Sequence, residues 1–415
     1  MAAVGDWTRE LASSYAACRA AHPEQRTLVV CDLDGTVLER SGSGPPRPSR
    51  GVVDALRWFA AQPLTDVAVV ADRAGSQREA TLAELDEIGR EYRMSWDPDL
   101  VHLRTDGAPP DPVAHRLGAL RLWSAAGHRV AAVLDGDAQV IDGLARSGEA
   151  GGALLVETGS LLADRRHRPG DPGGGHVELV WHEVNDPVRI RQFLASPMRW
   201  AELDLRLGPG GDLALRHDDF ATGDDGDDAP DPRAVLARMR EAGKGVNLDI
   251  KDPAALDAAV AAAGEAGIGD ADLWLNGRID KLGERVLRTV TRANPDARVQ
   301  CPVEFLGPLV ATMPGHAHAV VERLVDWGVG RFSVAWTNPH RDLLLDNLDA
   351  WGVEVNLYAV TDLQQFLAAV MRLPHSLTAD LTIPEWHYFG RGSGNDGDFH
   401  RDRRAAATSP GVDEP

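Results

Sequence analysis

Short apolar runs alternate with stretches of helical periodicity along most of the chain. Over the first 160 residues the aliphatic and β-branched runs are 27–31, 66–70, 101–104, 129–134 and 153–156. Between them, 51–61, 76–90, 112–126 and 138–147 carry apolar residues at helical spacing. That alternation predicts a parallel α/β sheet with helices on both faces. Residues 161–176 are polar and rich in Gly and Pro, which reads as a linker. The alternation then restarts, with strand candidates at 177–184, 200–205, 245–250, 271–276, 298–303, 331–336, 353–358 and 376–381. Helical stretches lie at 187–194, 232–242, 253–266, 282–293, 317–327, 341–350 and 362–372, several opening with Asp-Pro, a capped first turn. Eight strands with a helical stretch between each successive pair predict an (α/β)8 barrel over 177–390. A doubly wound sheet is the alternative, because closure is not visible in a sequence. The chain from 391 to 415 has little apolar content and reads as a disordered tail.

Composition narrows the class. The 415 residues are 43% hydrophobic and 26% charged, which fits a soluble globular protein rather than a fibrous or disulfide-built one. A formal charge of −20 argues against extended nucleic-acid binding, yet permits a small phosphate ester held through a cation. The three cysteines, Cys18, Cys31 and Cys301, are scattered and odd in number, which points to a reducing compartment. No run approaches the ~18 apolar residues of a membrane helix. The N-terminal stretch is broken by Asp6, Glu10 and Arg19, so the expectation is a leading helix in a cytoplasmic protein. Oligomeric state is left open.

Two acidic constellations carry the candidate chemistry. The first predicted strand ends in Asp32-Leu33-Asp34-Gly35-Thr36, which puts two carboxylates at the C-terminal edge of a parallel sheet, where such folds bind ligands. A carboxylate there can accept a phosphoryl group while its neighbour handles protons. The fourth strand ends in Asp135-Gly136-Asp137, oxygen ligands suited to completing a Mg²⁺ site.

In the second half, His182 ends the first barrel strand, and Glu202 and Asp204 share one face of the second. His217 follows a Gly-rich turn, and Asp249 and Lys251 share a face of the third strand. Three carboxylates at a barrel rim suit a hard cation, Mg²⁺ with Ca²⁺ or Mn²⁺ as alternatives. Two histidines beside a bound phosphate are a natural acid/base pair, and Lys251 could neutralise a phosphate oxygen. Trp181, Trp274 and Trp336 near strand ends suggest an aromatic wall. The acidic run 222–231 lacks the spacing of a calcium loop and reads as a solvated loop over the barrel mouth.

The Asp32–Thr36 run, with Asp135 and Asp137, resembles the haloacid dehalogenase (HAD) phosphatase superfamily. The stretch Ala71-Asp72-Arg73 with Arg78 and Thr81 is similar to the phosphatase part of polynucleotide kinase-type members. This resemblance implies a Rossmann-like domain over 1–160, with Asp32 as nucleophile, Asp34 as acid/base and metal bound by Asp32, Asp34, Asp135 and Asp137. Thr36, Arg73 and Arg116 would contact substrate. The chain departs from that pattern at Ala71, where Ser or Thr is usual, and at His115-Arg116, where Lys is usual.

The second half resembles phospholipase C-like phosphodiesterase TIM barrels. Glu202-Leu203-Asp204, His217-Asp218 and Asp249-Ile250-Lys251 follow the order of glycerophosphodiester phosphodiesterases, although His182-Glu183 replaces their His-Arg-Gly. His182-Glu183-Val184-Asn185 is closer to sphingomyelinase D and menorin-like proteins, and 273–276 and 332–337 resemble menorin-like proteins specifically. The resemblance implies Glu202, Asp204 and Asp249 as metal ligands, His182 and His217 as catalysts, and Asn276, Trp336 and Asn356 lining the pocket. The expectation is a two-domain metal-dependent phosphoesterase, with a diesterase barrel and a monoesterase HAD domain. Two rivals stand beside it: a diesterase with an inactive HAD domain, and a non-enzymatic menorin-like binding protein. Hydrolysis and cyclising transfer in the barrel are equally open.

Overall fold

The computed structural model describes residues 4–39, 46–107, 110–159, 176–220 and 230–380. The linker run except His176, most of the acidic run and the expected tail lie outside these residues.

The first unit is a five-stranded parallel sheet built from β1 (Thr27–Asp32), β4 (Thr65–Ala74), β5 (Val101–Arg104), β6 (Arg129–Asp135) and β7 (Leu154–Glu157). The two-residue strands β2 (Leu38–Glu39) and β3 (Arg47–Pro48) pair separately. Sheet order is β5-β4-β1-β6-β7, so the chain reverses its direction of winding between β1 and β6. Crevices at such a reversal, beyond the strands' carboxyl ends, are where open α/β sheets bind ligands. Every residue of β1 is buried, as a central strand covered on both faces requires. Helices Val4–Ala21, Arg50–Ala60 and Arg78–Tyr92 supply Tyr15, Trp58, Phe59 and Ile88 to one face. Helices Pro112–Ala125 and Ala138–Ser147 bring Leu120, Trp123 and Leu144 to the other.

The second unit is a closed barrel of eight parallel strands: β8 (Glu178–Trp181), β9 (Trp200–Leu207), β11 (Gly245–Ile250), β12 (Leu273–Gly277), β13 (Arg298–Pro302), β14 (Arg331–Ala335), β15 (Glu354–Val360) and β16 (Ser376–Ala379). Closure comes from β8, which pairs in parallel with both β9 and β16. The three-residue β10 (Leu213–Leu215) hangs antiparallel on β9. Asp186, Asp231, Asp252 and Asp362 each accept backbone N–H groups at a helical first turn, the capping the Asp-Pro pairs predict at the first three. Leu203, Leu248, Leu275, Phe332 and Leu357 point outward and are buried against the helices.

The units share one apolar core. Helix Leu363–Val370 packs on the N-terminal helix, and Phe366 meets Trp58 at 5.9 Å between ring centroids. Where the barrel begins, Val177 donates its N–H to Asp54 Oδ2 at 2.9 Å and accepts from Arg57 at 3.3 Å. Asp54 is fully buried, and burial pushes its carboxyl up to about 7 despite the Arg57 charge. No helix of the described residues is long and apolar enough to cross a membrane.

Candidate active site at the barrel mouth

Strand register assembles the site. Because β9 and β11 run parallel with Asn247 opposite Glu202 and Asp249 opposite Asp204, the three carboxylates land on adjacent inward positions. Each offers an oxygen, and these oxygens lie within 4.8 Å of one another, all on buried residues. Gly277 follows the neighbouring rim residue Asn276 at a φ of 91°, and a Cβ there would stand 2.2 Å from Asp249 Oδ1. Only glycine lets this turn close over the carboxylate.

Lys251 is the resident counter-charge, with Nζ 3.0 Å from Asp204 and 2.6 Å from Asp249. Asn185 holds Asp204 from both sides, donating Nδ2–H to its carboxylate and accepting its backbone N–H at 3.0 Å. The lysine does not complete the site. Burial and the neighbouring acids push Glu202 well above the usual carboxylate range, while Lys251 holds Asp249 below it against the cost of burial. No protein donor among the described residues reaches Glu202 Oε2 or Asp249 Oδ1. Buried carboxylate oxygens without donors, in an all-oxygen set, fit a hard divalent cation.

His182 stands beside this cluster. Its Nδ1 is 3.5 Å from Asp380, a fully buried carboxylate at the end of the eighth barrel strand. Burial opposes a charge on the ring, but Asp380 and Glu202 outweigh it and raise the imidazolium to about 10. Glu183 adopts a left-handed φ of 54°, and Arg189 clamps the bend by donating to the carbonyls of Glu183 at 2.8 Å and His182 at 3.3 Å. His217 sits beyond β10, its Nδ1 3.0 Å from Asp218 Oδ1.

The later strands divide differently from expectation. Asn276 is half-buried at the rim, and Trp336 is half-buried there under the Arg341 guanidinium, 4.0 Å from the ring centroid. Asn356 is not at the rim; it is fully buried mid-strand, accepting from Ser376 at 2.7 Å. Two of the proposed wall tryptophans are elsewhere. Trp181 packs edge-on to Phe193 outside the barrel, and Trp274 lies at the barrel floor 4.4 Å from Trp200. A tryptophan near a strand end has two faces and two ends to choose from, and sequence alone does not say which.

The sheet edge of the first unit is organised around a guanidinium. Arg116 reaches Asp32 at 2.5 Å, Asp72 at 2.6 Å and Asp135 at 3.0 Å. Burial and Asp135 push Asp32 up to about 8, against the opposing pull of Arg116. Asp34 is turned to Arg73, which grips it with two bonds of 2.9 Å and also reaches Glu84. Asp137 caps the helix Ala138–Ser147 through Gln139 N–H. Thr36 is buried, bonded to Thr158 at 3.0 Å. The structure therefore brings Asp32 and Asp135 together around Arg116, with Asp34 and Asp137 engaged elsewhere.

Sequence reasoning missed Asp380, Asn185 and Arg189. An acid closing the eighth predicted strand was a usable signal for Asp380. Nothing local distinguished Arg189 from other helix arginines.

No protein-family model matches the chain, and no curated protein matches it. Solved structures similar to it include a phosphodiesterase of Oleispira antarctica in complex with the product sn-glycerol-3-phosphate, at 14% identity and TM-score 0.37, over 51% of this chain and 95% of that one. A glycerophosphodiester phosphodiesterase of Parabacteroides distasonis matches at 13% identity and TM-score 0.38, over 56% and 98%. One from Agrobacterium tumefaciens matches at 17% identity and TM-score 0.35, over 51% and 98%.

Proposed function

We propose that the barrel is a divalent-cation-dependent phosphodiesterase acting on a small phosphate diester. The observation that carries this reading is the buried Glu202–Asp204–Asp249 cluster with His182 at its edge and His217 beyond β10. Glu202, Asp204 and Asp249 would hold the cation, Mg²⁺, Ca²⁺ or Mn²⁺, which when bound would offset phosphate charge. Lys251, already spanning two of these acids, is placed to take a share of the same charge. His182 is the proton donor to the leaving alcohol, because Asp380 and Glu202 favour its charged form. His217 would be the base: with Nδ1–H donating to Asp218, Nε2 would take the proton of the attacking hydroxyl, from water or from the substrate itself, whose oxygen forms the new P–O bond as the alcohol leaves. Asn276 and Trp336 would contact the alcohol portion from across the mouth.

The experiment is turnover of an aryl phosphodiester by the full chain with Mg²⁺, Ca²⁺, Mn²⁺ or EDTA, comparing wild type with His182→Ala. Cation-dependent cleavage lost in the variant supports the reading, and a chain that turns over diester equally in EDTA refutes it. A second reading, a HAD-type monoesterase working through an aspartyl-phosphate on Asp32, rests on the meeting of Asp32, Asp72 and Asp135 at the sheet's crevice. In that reading Arg116 would bind the phosphate, and the domain would consume the monoester that a diesterase releases. An aryl phosphomonoester assayed with wild type and Asp32→Asn decides it. No turnover leaves the diesterase barrel with an inactive partner domain.

A further inference from the structure

An ordinary barrel of this kind fills its interior with layers of branched aliphatic side chains. Here the register puts a different set inward. Starting from Glu202, the paired positions lead through Asn247 to Trp274 and Arg298, and two residues on from Arg298 is Gln300. On the other side, Ser333 pairs with Asn356 and Asn356 with Ser376. Asn247, Gln300 and Asn356 are fully buried. Among the described residues, neither side-chain polar atom of Asn247 or of Gln300 finds a partner, and nor does Nδ2 of Asn356.

Buried amides are normally satisfied, and a layer of orphaned ones in a dry core would be strongly unfavourable. The floor below them is closed. Trp200 and Trp274 meet there with their rings tilted by 32°, and Arg331 lies 4.6 Å over the Trp274 ring, paired with Glu178 at 2.9 Å and Glu354 at 2.7 Å. Above them stand the three carboxylates, with Asn247 on the same rung as Glu202.

We propose that this interior is a hydrated chamber, in which Asn247, Gln300 and Asn356 bind a small cluster of ordered water molecules that donates to the Glu202 carboxylate from below. Water fits because an amide presents two N–H donors and one acceptor, and water answers both. With one Glu202 oxygen tied downward, the other is oriented toward the cation position. Asn247 and Gln300 are thus positioning residues for the cation site, a role that rests on the proposed function, whereas the water cluster rests on the barrel geometry alone.

The test has two arms, both on the full chain. A high-resolution crystal structure is expected to show water oxygens within hydrogen-bonding distance of Asn247 and Gln300; amides bonded directly to one another with no solvent between them would overturn the chamber. Calorimetric titration with Mn²⁺ is expected to show Asn247→Leu and Gln300→Met binding roughly 10- to 100-fold more weakly, the range typical for groups supporting metal ligands. Asn247→Ser, which leaves room for another water, is expected to stay close to wild type. Unchanged affinity in the apolar variants overturns the positioning role. Should wild type bind no divalent cation, the proposed function fails separately and the melting temperature judges the chamber. A dry orphan amide replaced by leucine raises Tm and sinks the idea, while loss of a water-holding group lowers it.

Discussion

The barrel mouth and the sheet edge of the first unit each gather buried carboxylates at the carboxyl ends of parallel strands, yet they neutralise them differently. At the sheet edge, the Arg116 guanidinium contacts Asp32, Asp72 and Asp135 together. At the mouth, Lys251 spans Asp204 and Asp249, and among the described residues Glu202 Oε2 meets no donor. A guanidinium offers five N–H donors in a planar fork and reaches all three of its carboxylates, whereas the ammonium reaches two of its three. Fold alone places acids in such crevices. What each crevice can do depends on which cation the chain itself supplies.

The strongest test of this contrast is removal of one ligand at the mouth. Asp204→Asn is expected to weaken Mn²⁺ binding at least about 100-fold by calorimetry, beyond the range for supporting residues, while Asp32→Asn leaves that binding unchanged. His182→Ala follows, with an expected fall in kcat of about 10²- to 10⁴-fold, the usual contribution of general acid catalysis. Its cation affinity, read by the same titration, stays within a few-fold of wild type.

Breaking the comparison from the other side, Arg116→Met strands three carboxylates without their cation. Denaturant unfolding is expected to show a loss of about 3–5 kcal/mol, as when one partner of a buried ion pair is removed. If the freed carboxylates take up a cation in place of the guanidinium, millimolar Mg²⁺ restores part of that loss in the variant and does nothing for wild type.

The smallest effect concerns the seam between the units. Asp54 titrates at about 7 when folded, above its unfolded value, so its contribution is intact in acid and is lost as pH rises through 7. Asp54→Asn keeps an acceptor for the Val177 N–H and removes the charge. Its stability relative to wild type is expected to climb by on the order of 1 kcal/mol from pH 5 to pH 8, followed by urea midpoints. A flat difference across that range would mean that Arg57 compensates Asp54 fully.

Much of this architecture is written in local pattern. Aliphatic runs bounded by Asp-Pro caps mark the strands and helices of both units, because period, capping and breakers act over a few residues. The ordered acids Glu202, Asp204 and Asp249 were legible as a set, since alternation on a strand fixes which residues share a face. The resemblance to phosphodiesterase barrels singled out His182 for the same site.

Tertiary structure alone decided the rest, and in each case the reason is distance in sequence. Closure needed β8 to meet β16, whose paired residues Glu178 and Ser376 lie at opposite ends of the barrel segment. The pairing of His182 with Asp380 spans the same gap. Arg116 lies 84 residues from Asp32 and sits on a helix, where nothing in its neighbours marks it as the ion that fills the sheet-edge crevice. Trp274 became floor rather than wall because barrel tilt and register, not proximity to a strand end, set the height of each side chain. Local chemistry specified which groups the chain could bring to a site, and packing over long loops determined which of them met.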